Sequence, residues 1–494
     1  MTGFLQNGIA GQLPEFLLVL TALAILIFDA VKKYGKDKEM YIIAVAGASL
    51  AFASSIFTLD LSLGSANGIF VFSSMTVWDS VSSLGKLIIL LTLLTGLILD
   101  SLGAITRRHN GEYLALMLFA ATGAMVMSSA SHLVTMILGL EILSLPLYTL
   151  AAFDYGRKAA REAGLKYLIL GAFASAFAAI GCALYYIGSG TLEISVTSIP
   201  ADGKLFFNIG CALILSGLMF KGGVLPFFAW SPDTYEGAPD FAVGLMAALA
   251  KTSTFLFLAR FVPEILSPIA ASNLIAGIIL AVAGTMIAGN LLALAQTNIK
   301  RMLAYSSVAH AGYLLLGIIA FRATSTAGII FYLAGYAPVL VGCFHIVAMF
   351  PGDKGGHEIN HFAGLGYRSK FVAAIFTLML ITLAGLPPTP IFWGKLLLFL
   401  GVVEPGGSGL VNLVILAMLM SLVGVYYYLR VVVYMYMREP DDEKISPSPA
   451  PVKAFPGFGF SILCIIIAVL GIFPYYFLRL IFSAVENLML PGLH

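Results

Sequence analysis

The sequence predicts an all-α integral membrane protein of about 14 transmembrane helices, and three observations carry that prediction. The 494 residues are 60% hydrophobic and only 11% charged, with a mean hydropathy of +0.97, far outside the soluble range. Apolar runs of about 20 residues, long enough to cross a bilayer core as a helix, recur from one end of the sequence to the other. Basic residues gather in every second connection between those runs, which is how topology is encoded in membrane proteins.

Taken in order, the spans fall near Leu13 to Val31, Tyr41 to Asp60, Ser82 to Ala104, Tyr113 to Ala130, Leu133 to Phe153, Gly164 to Ile187 and Phe206 to Trp230. They continue near Phe241 to Val262, Leu274 to Gln296, Met302 to Phe321, Ala327 to Phe350, Phe371 to Val403, Leu410 to Met437 and Phe455 to Phe482. Met1 to Gln12 lacks a basic leader region and the first run already suffices to span, so no cleavable signal peptide is expected.

The connections orient the spans. Lys32, Lys33, Lys36 and Lys38 follow the first span, Arg107 and Arg108 the third, and Arg157, Lys158 and Arg161 the fifth. Lys300 with Arg301, then Lys354, Arg368 and Lys370, then Arg438, Lys444 and Lys453 continue the alternation, whereas the other connections hold isolated bases such as Lys204, Arg260 and Arg322. The positive-inside rule then puts both termini on the periplasmic side of a bacterial inner (plasma) membrane. Asp233, Glu236 and Asp240 make one basic-side connection acidic, but acidic residues contribute little to orientation.

Several function classes are excluded. The longest connections, around Gly64 to Asp79, Gly188 to Lys204, Pro351 to Lys370 and Arg438 to Ala454, are too short to bury a soluble core. There is no Walker loop, and the glycines sit in apolar runs where small residues permit close helix packing. A net charge of +2 gives no footprint for nucleic acid. Cys182, Cys211, Cys343 and Cys464 stand singly, without the paired spacings of iron–sulfur or zinc sites.

The informative residues are the charges inside apolar runs: Glu141, Lys166, Lys221, Lys251 and Lys395. Insertion of one such residue costs roughly 2.5–3.5 kcal/mol, so it faces a hydrated path or an opposite charge. Any one of them could be a snorkelling or paired structural charge; five together point to function. Glu141 shares a helical face with Ser144 and Tyr148, near Pro146. Lys221 precedes two glycines and Pro226, and Lys395 follows Pro387, Pro388 and Pro390, so the seventh and twelfth spans are expected to break there. Those two spans lie five apart, an odd number, which predicts two inverted five-helix repeats, each with a broken helix. Lys251 lies between them. His310 shares a face with Ser306, Ser307 and Tyr313, and His345 ends the eleventh span; each is either a proton relay or a satisfied core histidine. A haem pair would need matched ligands on facing helices, and no such spacing repeats.

The run FKGGVLPFFAWSPDTYEGAP followed by AALAKTSTF resembles the antiporter-like membrane family of respiratory complex I and related cation/proton antiporters, and the likeness extends over nearly the whole chain from the fourth span onward. Phe228 stands where the family commonly has a histidine. Glu141 matches the family's glutamate on span five, Lys166 its lysine on span six, Lys221 and Lys251 those on spans seven and eight, His310 its histidine on span ten, and Lys395 its site on span twelve. Lysine at position 395 and a sequence that stops at His494 match the subunit N branch better than the M and L branches. The resemblance implies three N-terminal helices (1–110), a first repeat (111–265), a second inverted repeat (266–440) and a C-terminal helix (441–494). It implies protons entering at the lysine of one half-channel, crossing a hydrated axis through Lys251 and leaving at the other, coupled to electron transfer elsewhere. NADH, FMN, iron–sulfur clusters and quinone would then belong to partner subunits and none to this chain. The partners would be other membrane subunits, including homologous antiporter-like ones, together with membrane lipids. A multisubunit sodium/proton antiporter without redox partners would use the same lysines, and a purely structural scaffold is disfavoured by their insertion cost.

Overall fold

The computed structural model describes residues 9–31, 37–63, 68–102, 110–196, 198–266, 272–350, 357–404, 410–439 and 457–489. Helices α1 (Leu13–Val31) and α2 (Asp37–Leu63) lead to a hairpin of β1 (Ile69–Val71) and β2 (Thr76–Trp78). The first half continues with α3 (Ser80–Leu102), α4 (Asn110–Ser128), α5 (Leu133–Ala151), α6 (Lys158–Ser189), α7 (Lys204–Gly222), α8 (Trp230–Gly237) and α9 (Asp240–Leu266). The second half holds α10 (Ser272–Leu294), α11 (Ile299–Ala320), α12 (Ala323–Met349), α13 (Leu365–Arg368), α14 (Lys370–Ala384), α15 (Pro390–Val403) and α16 (Val411–Met437), followed by α17 (Gly457–Ile472) and α18 (Pro474–Met489).

Among the described residues, twelve helices are long and apolar enough to cross a membrane, or thirteen if the bent pair α17–α18 is one span. The expected fourteen is not reached on length and composition alone, because the apolar run from Phe371 to Val403 is divided into α14 and α15, of 15 and 14 residues. The last run also differs from the single span expected: it bends by 75° at Phe473, where Pro474 opens α18. The connection after α2 is not plain loop. Ile69 pairs with Trp78 and Val71 with Thr76, and Val71 and Trp78 bury with Ala10 in a small separate cluster. Strands of three residues carry too little alternation to be read from sequence.

Both expected breaks are present. α7 stops at Gly222, and Gly223, at φ +71°, closes it with its N–H on the Phe220 carbonyl. The chain then runs irregularly through Pro226 before α8 begins at Trp230. In the same manner Gly385, at φ +77°, ends α14, and Pro390 occupies the first turn of α15. Each proline lacks an N–H and clashes with a continuing helix, so the run yields where the prolines cluster.

The core is arranged around α12, whose apolar window is wholly buried, with α9 and α11 nearly so. The outer helices α1, α6 and α16 instead present large apolar side chains outward, among them Leu20, Phe173 and Leu422, the pattern of a protein whose solvent is lipid. Where α6 meets α7 the backbones touch through glycines. A Cβ on Gly181 would lie 2.8 Å from the Gly210 carbonyl oxygen, and one on Gly188 would lie 2.5 Å from the Phe207 nitrogen. This close seam holds α7, and with it Lys221, against α6.

Candidate functional site

Lys221 lies in the last turn of α7, where the helix is about to break, and is only 3% exposed. Its Nζ donates to Ser144 Oγ on α5 at 2.8 Å and to the Tyr167 hydroxyl on α6 at 3.0 Å. The rings of Tyr148 and Tyr167 lie 5.2 and 4.9 Å from the ammonium, within cation–π range. Tyr167 is itself fixed by stacking on Trp230 at 4.4 Å, so the first residue of α8 positions a partner of the lysine that precedes the break. Glu141 stands one turn before Ser144 on α5. It is within electrostatic reach of Lys221, but the two form no ion pair within 4 Å. The Glu141 Oε1 is buried with no hydrogen-bond partner, and the residue belongs to a face where Leu138, Ile142 and Leu145 are exposed.

The break also supplies a partner to Lys251. The last carbonyls of α7 have no intrahelical partner, and Lys251 Nζ, 3% exposed at mid-length of α9, donates to the Gly222 carbonyl at 2.9 Å. Lys221 and Lys251 thus come together at one helix end, Lys221 as part of it and Lys251 on its carbonyl. Phe228, in the irregular segment, sets its ring edge-on to Tyr305 of α11 at 6.4 Å.

His310 on α11 lies at the centre of a tyrosine cluster. Its Nδ1 meets the Tyr332 hydroxyl and its Nε2 the Tyr428 hydroxyl, the latter at 3.1 Å, while Tyr336 donates to Ser307 Oγ at 3.0 Å. Both Lys251 and Lys395 are within electrostatic reach of this ring. Lys395, 6% exposed on α15, repeats the arrangement around Lys251: it donates to the Ala384 carbonyl at the end of α14 (3.1 Å) and to Ser421 Oγ on α16 (2.8 Å). The Tyr313 ring lies 4.8 Å from its ammonium, and Asn290 orients the Tyr313 hydroxyl at 3.1 Å.

Lys166 is placed differently from these three. α6 begins at Lys158, before the apolar run expected from Gly164, and Lys166, two turns inside it, has a side chain 43% exposed. It pairs with Glu162 at 3.0 Å and with Asp233 of α8 at 3.1 Å. Asp233 also meets Arg301 at 3.1 Å, and Arg301 meets Glu236 at 2.7 Å. Burial pushes the Asp233 carboxyl up, but hydrogen bonds from Lys166 and Arg301 outweigh it and hold the group below the usual carboxylate range.

Sequence reasoning missed several buried charges. Lys86 and Glu15 form an ion pair at 2.7 Å, with side chains 1% and 7% exposed. Lys300, wholly buried, pairs with Asp240 at 2.6 Å, and His357 meets the other oxygen of Asp240 at 3.1 Å. Arg260, read as a loop base, lies in α9 and grips Asp79 with two bonds of 2.6 and 3.1 Å. Burial of the Asp79 carboxyl raises it, but the charge and hydrogen bonds of Arg260, helped by Ser82, hold it below its ordinary value. Lys86 could have been found, since it stands in the third apolar run; Glu15 and Asp79 lie at run ends, where a charge draws no notice.

Of the five fully buried lysines described, Lys86 and Lys300 have carboxylates, whereas Lys221, Lys251 and Lys395 are held by hydroxyl and carbonyl oxygens alone. These three amines therefore differ from Lys86 and Lys300 in having no carboxylate within ion-pair distance. Among the described residues no group of three or more His, Cys, Asp or Glu side chains is close enough to hold a metal ion.

Residues 130–424 match the family model of the NADH:quinone oxidoreductase/Mrp antiporter transmembrane region. The chain is 37% identical over 444 residues to NADH-quinone oxidoreductase subunit N of Trichlorobacter lovleyi, covering 87% of this chain and 88% of that protein. It is 34% identical to the subunit N of Nitrosomonas europaea, covering 98% and 100%. Among solved structures, a chain of respiratory complex I from Thermus thermophilus superposes with a TM-score of 0.79 at 30% identity, over 95% of this chain and all of that one. A chain of the Mrp complex from Dietzia sp. DQ12-45-1b shares the fold, with a TM-score of 0.83 at 19% identity over 98% of each. The chain belongs to the NADH:quinone oxidoreductase/Mrp antiporter transmembrane family, with full-length likeness to its subunit N members.

Proposed function

We propose that the chain is the proton-translocating, subunit N type membrane component of a complex I type NADH:quinone oxidoreductase, and that protons pass along Lys221, Lys251, His310 and Lys395. The observation that carries this reading is the set of three buried lysines held only by neutral oxygens. Their order in space supports it: Lys221 and Lys251 share the end of α7, and His310 lies within electrostatic reach of both Lys251 and Lys395. Serine and tyrosine hydroxyls, which both donate and accept, stand beside Lys221, His310 and Lys395 and can hand a proton onward. Glu141 acts as the charge that tunes Lys221 from the outer face of α5, where a neighbouring membrane subunit docks. Lys166 acts at the margin, steadying α8 through Asp233. NADH, FMN, iron–sulfur clusters and quinone reside on partner subunits, and the energy of electron transfer reaches this chain as a change in the shape of its neighbours.

On this reading α14 with α15, and α17 with α18, are two broken spans, giving fourteen, and the repeats are α4–α9 and α10–α16. In each repeat the fourth span is the broken one, which is what an inverted pair related about the membrane plane would have. The connections rich in lysine and arginine face the cytoplasm of a bacterial cell and both termini the periplasm. The test is proton transport and donor oxidation in complexes purified intact with Lys251→Ala or Lys221→Ala. Each variant is expected to lose proton transport by at least about tenfold, below the roughly 10²–10⁴-fold that a positioned proton-transfer group contributes. Normal transport in both would overturn the assignment, and recovery of the chain with only small membrane partners, lacking flavin and iron–sulfur subunits, would favour a sodium/proton antiporter instead.

A further inference from the structure

Besides the lysine series, a histidine–aspartate pair is sealed between α3 and α12. Asp100, in the last turn of α3, has a side chain with no exposure, and His345, near the end of α12, is 7% exposed; His345 Nε2 lies 3.2 Å from Asp100 Oδ1. The Val341 carbonyl fixes one of the histidine's protons. His345 Nδ1 lies 2.9 Å from the Val341 carbonyl oxygen, which can only accept, so Nδ1 carries a hydrogen. A bare Nε2 and a carboxylate oxygen are both acceptors, so their contact requires one more proton between them. The Tyr113 hydroxyl donates to the other oxygen, Asp100 Oδ2, at 3.2 Å. The pair therefore holds one labile proton that can reside on Nε2 or on Oδ1.

That proton differs in kind from those of the two buried lysine–carboxylate pairs, and the other buried histidine–aspartate contact, His357 with Asp240, shares its carboxylate with Lys300. In Glu15–Lys86 and Asp240–Lys300 the reference proton affinities of the partners are about six units of pKa apart, and the proton stays on the lysine. For histidine and aspartate the reference values are only about 2.6 units apart, so a modest change in surroundings moves the proton across. The location suits transfer. The pair closes the end of α3 and α12 from which the chain enters the connections bearing Arg107, Arg108 and Lys354. α12 also carries Tyr332 and Tyr336 of the His310 cluster, and Tyr336 is nine residues before His345, about 13 Å along the helix.

We propose that Asp100 and His345 form a proton-transfer site that loads the His310 cluster from the side of the basic connections. In one cycle the Asp100 carboxylate accepts a proton while His345 is doubly protonated; the pair then releases one proton toward the His310 cluster and returns to its shared-proton state. Only O–H and N–H bonds form and break, and one proton enters for each that leaves. The inference rests on the proton path through Lys251 and His310.

The test is the double variant Asp100→Asn, His345→Gln in the intact complex. It keeps a hydrogen-bonded polar pair of similar shape but cannot carry a proton. Asp100→Glu, which keeps the carboxyl group, is the companion. We expect the double variant to assemble and to lose proton transport by at least about tenfold, and Asp100→Glu to retain most of it. Normal transport by an assembled double variant overturns the proposal. So does failure of both variants to assemble, which would make the pair a structural clasp between α3 and α12. Lys251→Ala serves as the control: if that complex also transports normally, the proton path itself is wrong and not only this site.

Discussion

A buried charge in this protein is read by what faces it. Arg260 and Asp79 are 12% and 13% exposed and share two hydrogen bonds, so each depends on the other. Because the folded protein holds the Asp79 carboxyl below its ordinary value, its contribution to stability is complete above the unfolded value of about 3.9 and is lost as the pH falls through the lower folded value. Asp79→Asn is expected to cost about 3–5 kcal/mol near neutral pH, since it removes the carboxylate that the Arg260 guanidinium grips. Its thermal midpoint should also fall less than that of the unmodified protein on acidification below about pH 4, and an equal acid sensitivity would remove Asp79 from the account. At this scale the sequence spoke unevenly. Lys221, Lys251 and Lys395 were evident because a lysine deep in an apolar run has no ordinary explanation. The tyrosines around His310 were not, since Tyr332, Tyr336 and Tyr428 are indistinguishable from apolar core until their hydroxyls are seen to converge. Asp100 was hidden by its place at a helix end.

At the scale of elements, the breaks carry the design. Gly223 and Gly385 both adopt a left-handed conformation, at φ +71° and +77°, which turns a helix end toward a lysine from another segment. Alanine at either position is expected to cost roughly 1–2 kcal/mol for the positive φ. The two sites differ in what a methyl group would meet: a Cβ on Gly385 would lie 3.1 Å from Lys395 Nζ, whereas on Gly223 it would lie 3.6 Å from Lys251 Nζ. Gly385→Ala should therefore lower transport more than Gly223→Ala at a similar loss of thermal stability, and equal transport in the two would show that crowding of Lys395 is immaterial. Glycine and proline clusters made both breaks readable from the sequence. The bend at Phe473 was not, because the single proline at Pro474 also suits the first turn of an ordinary helix. Lys166 reads in the sequence as a charge in an apolar run, and its pairing with Glu162 and with Asp233 of α8 could not be seen from hydropathy.

For the molecule as a whole, orientation decides from which side each proton enters, and the basic connections give the prediction. The turn between α5 and α6 holds Arg157 and exposes Gly156, whereas the connection between α6 and α7 exposes Asp202. One helix separates them, so they must lie on opposite sides if α6 crosses the membrane once; its 32 residues, about 48 Å of helix, are ample for that. Gly156→Cys and Asp202→Cys place a thiol at each site, against a background in which Cys182, Cys211 and Cys343 are buried and only Cys464 is partly accessible. Replacing Cys464 with serine removes that signal. In sealed bacterial cells an impermeant thiol reagent is expected to label Asp202→Cys and to leave Gly156→Cys untouched, and in inverted vesicles the pattern should reverse. Labelling of Gly156→Cys in sealed cells would invert the topology and with it the direction assigned to the path, placing the Asp100–His345 pair on the periplasmic side. Labelling of both sites from one side would show that α6 does not cross, and the division into two five-span repeats would fail with it.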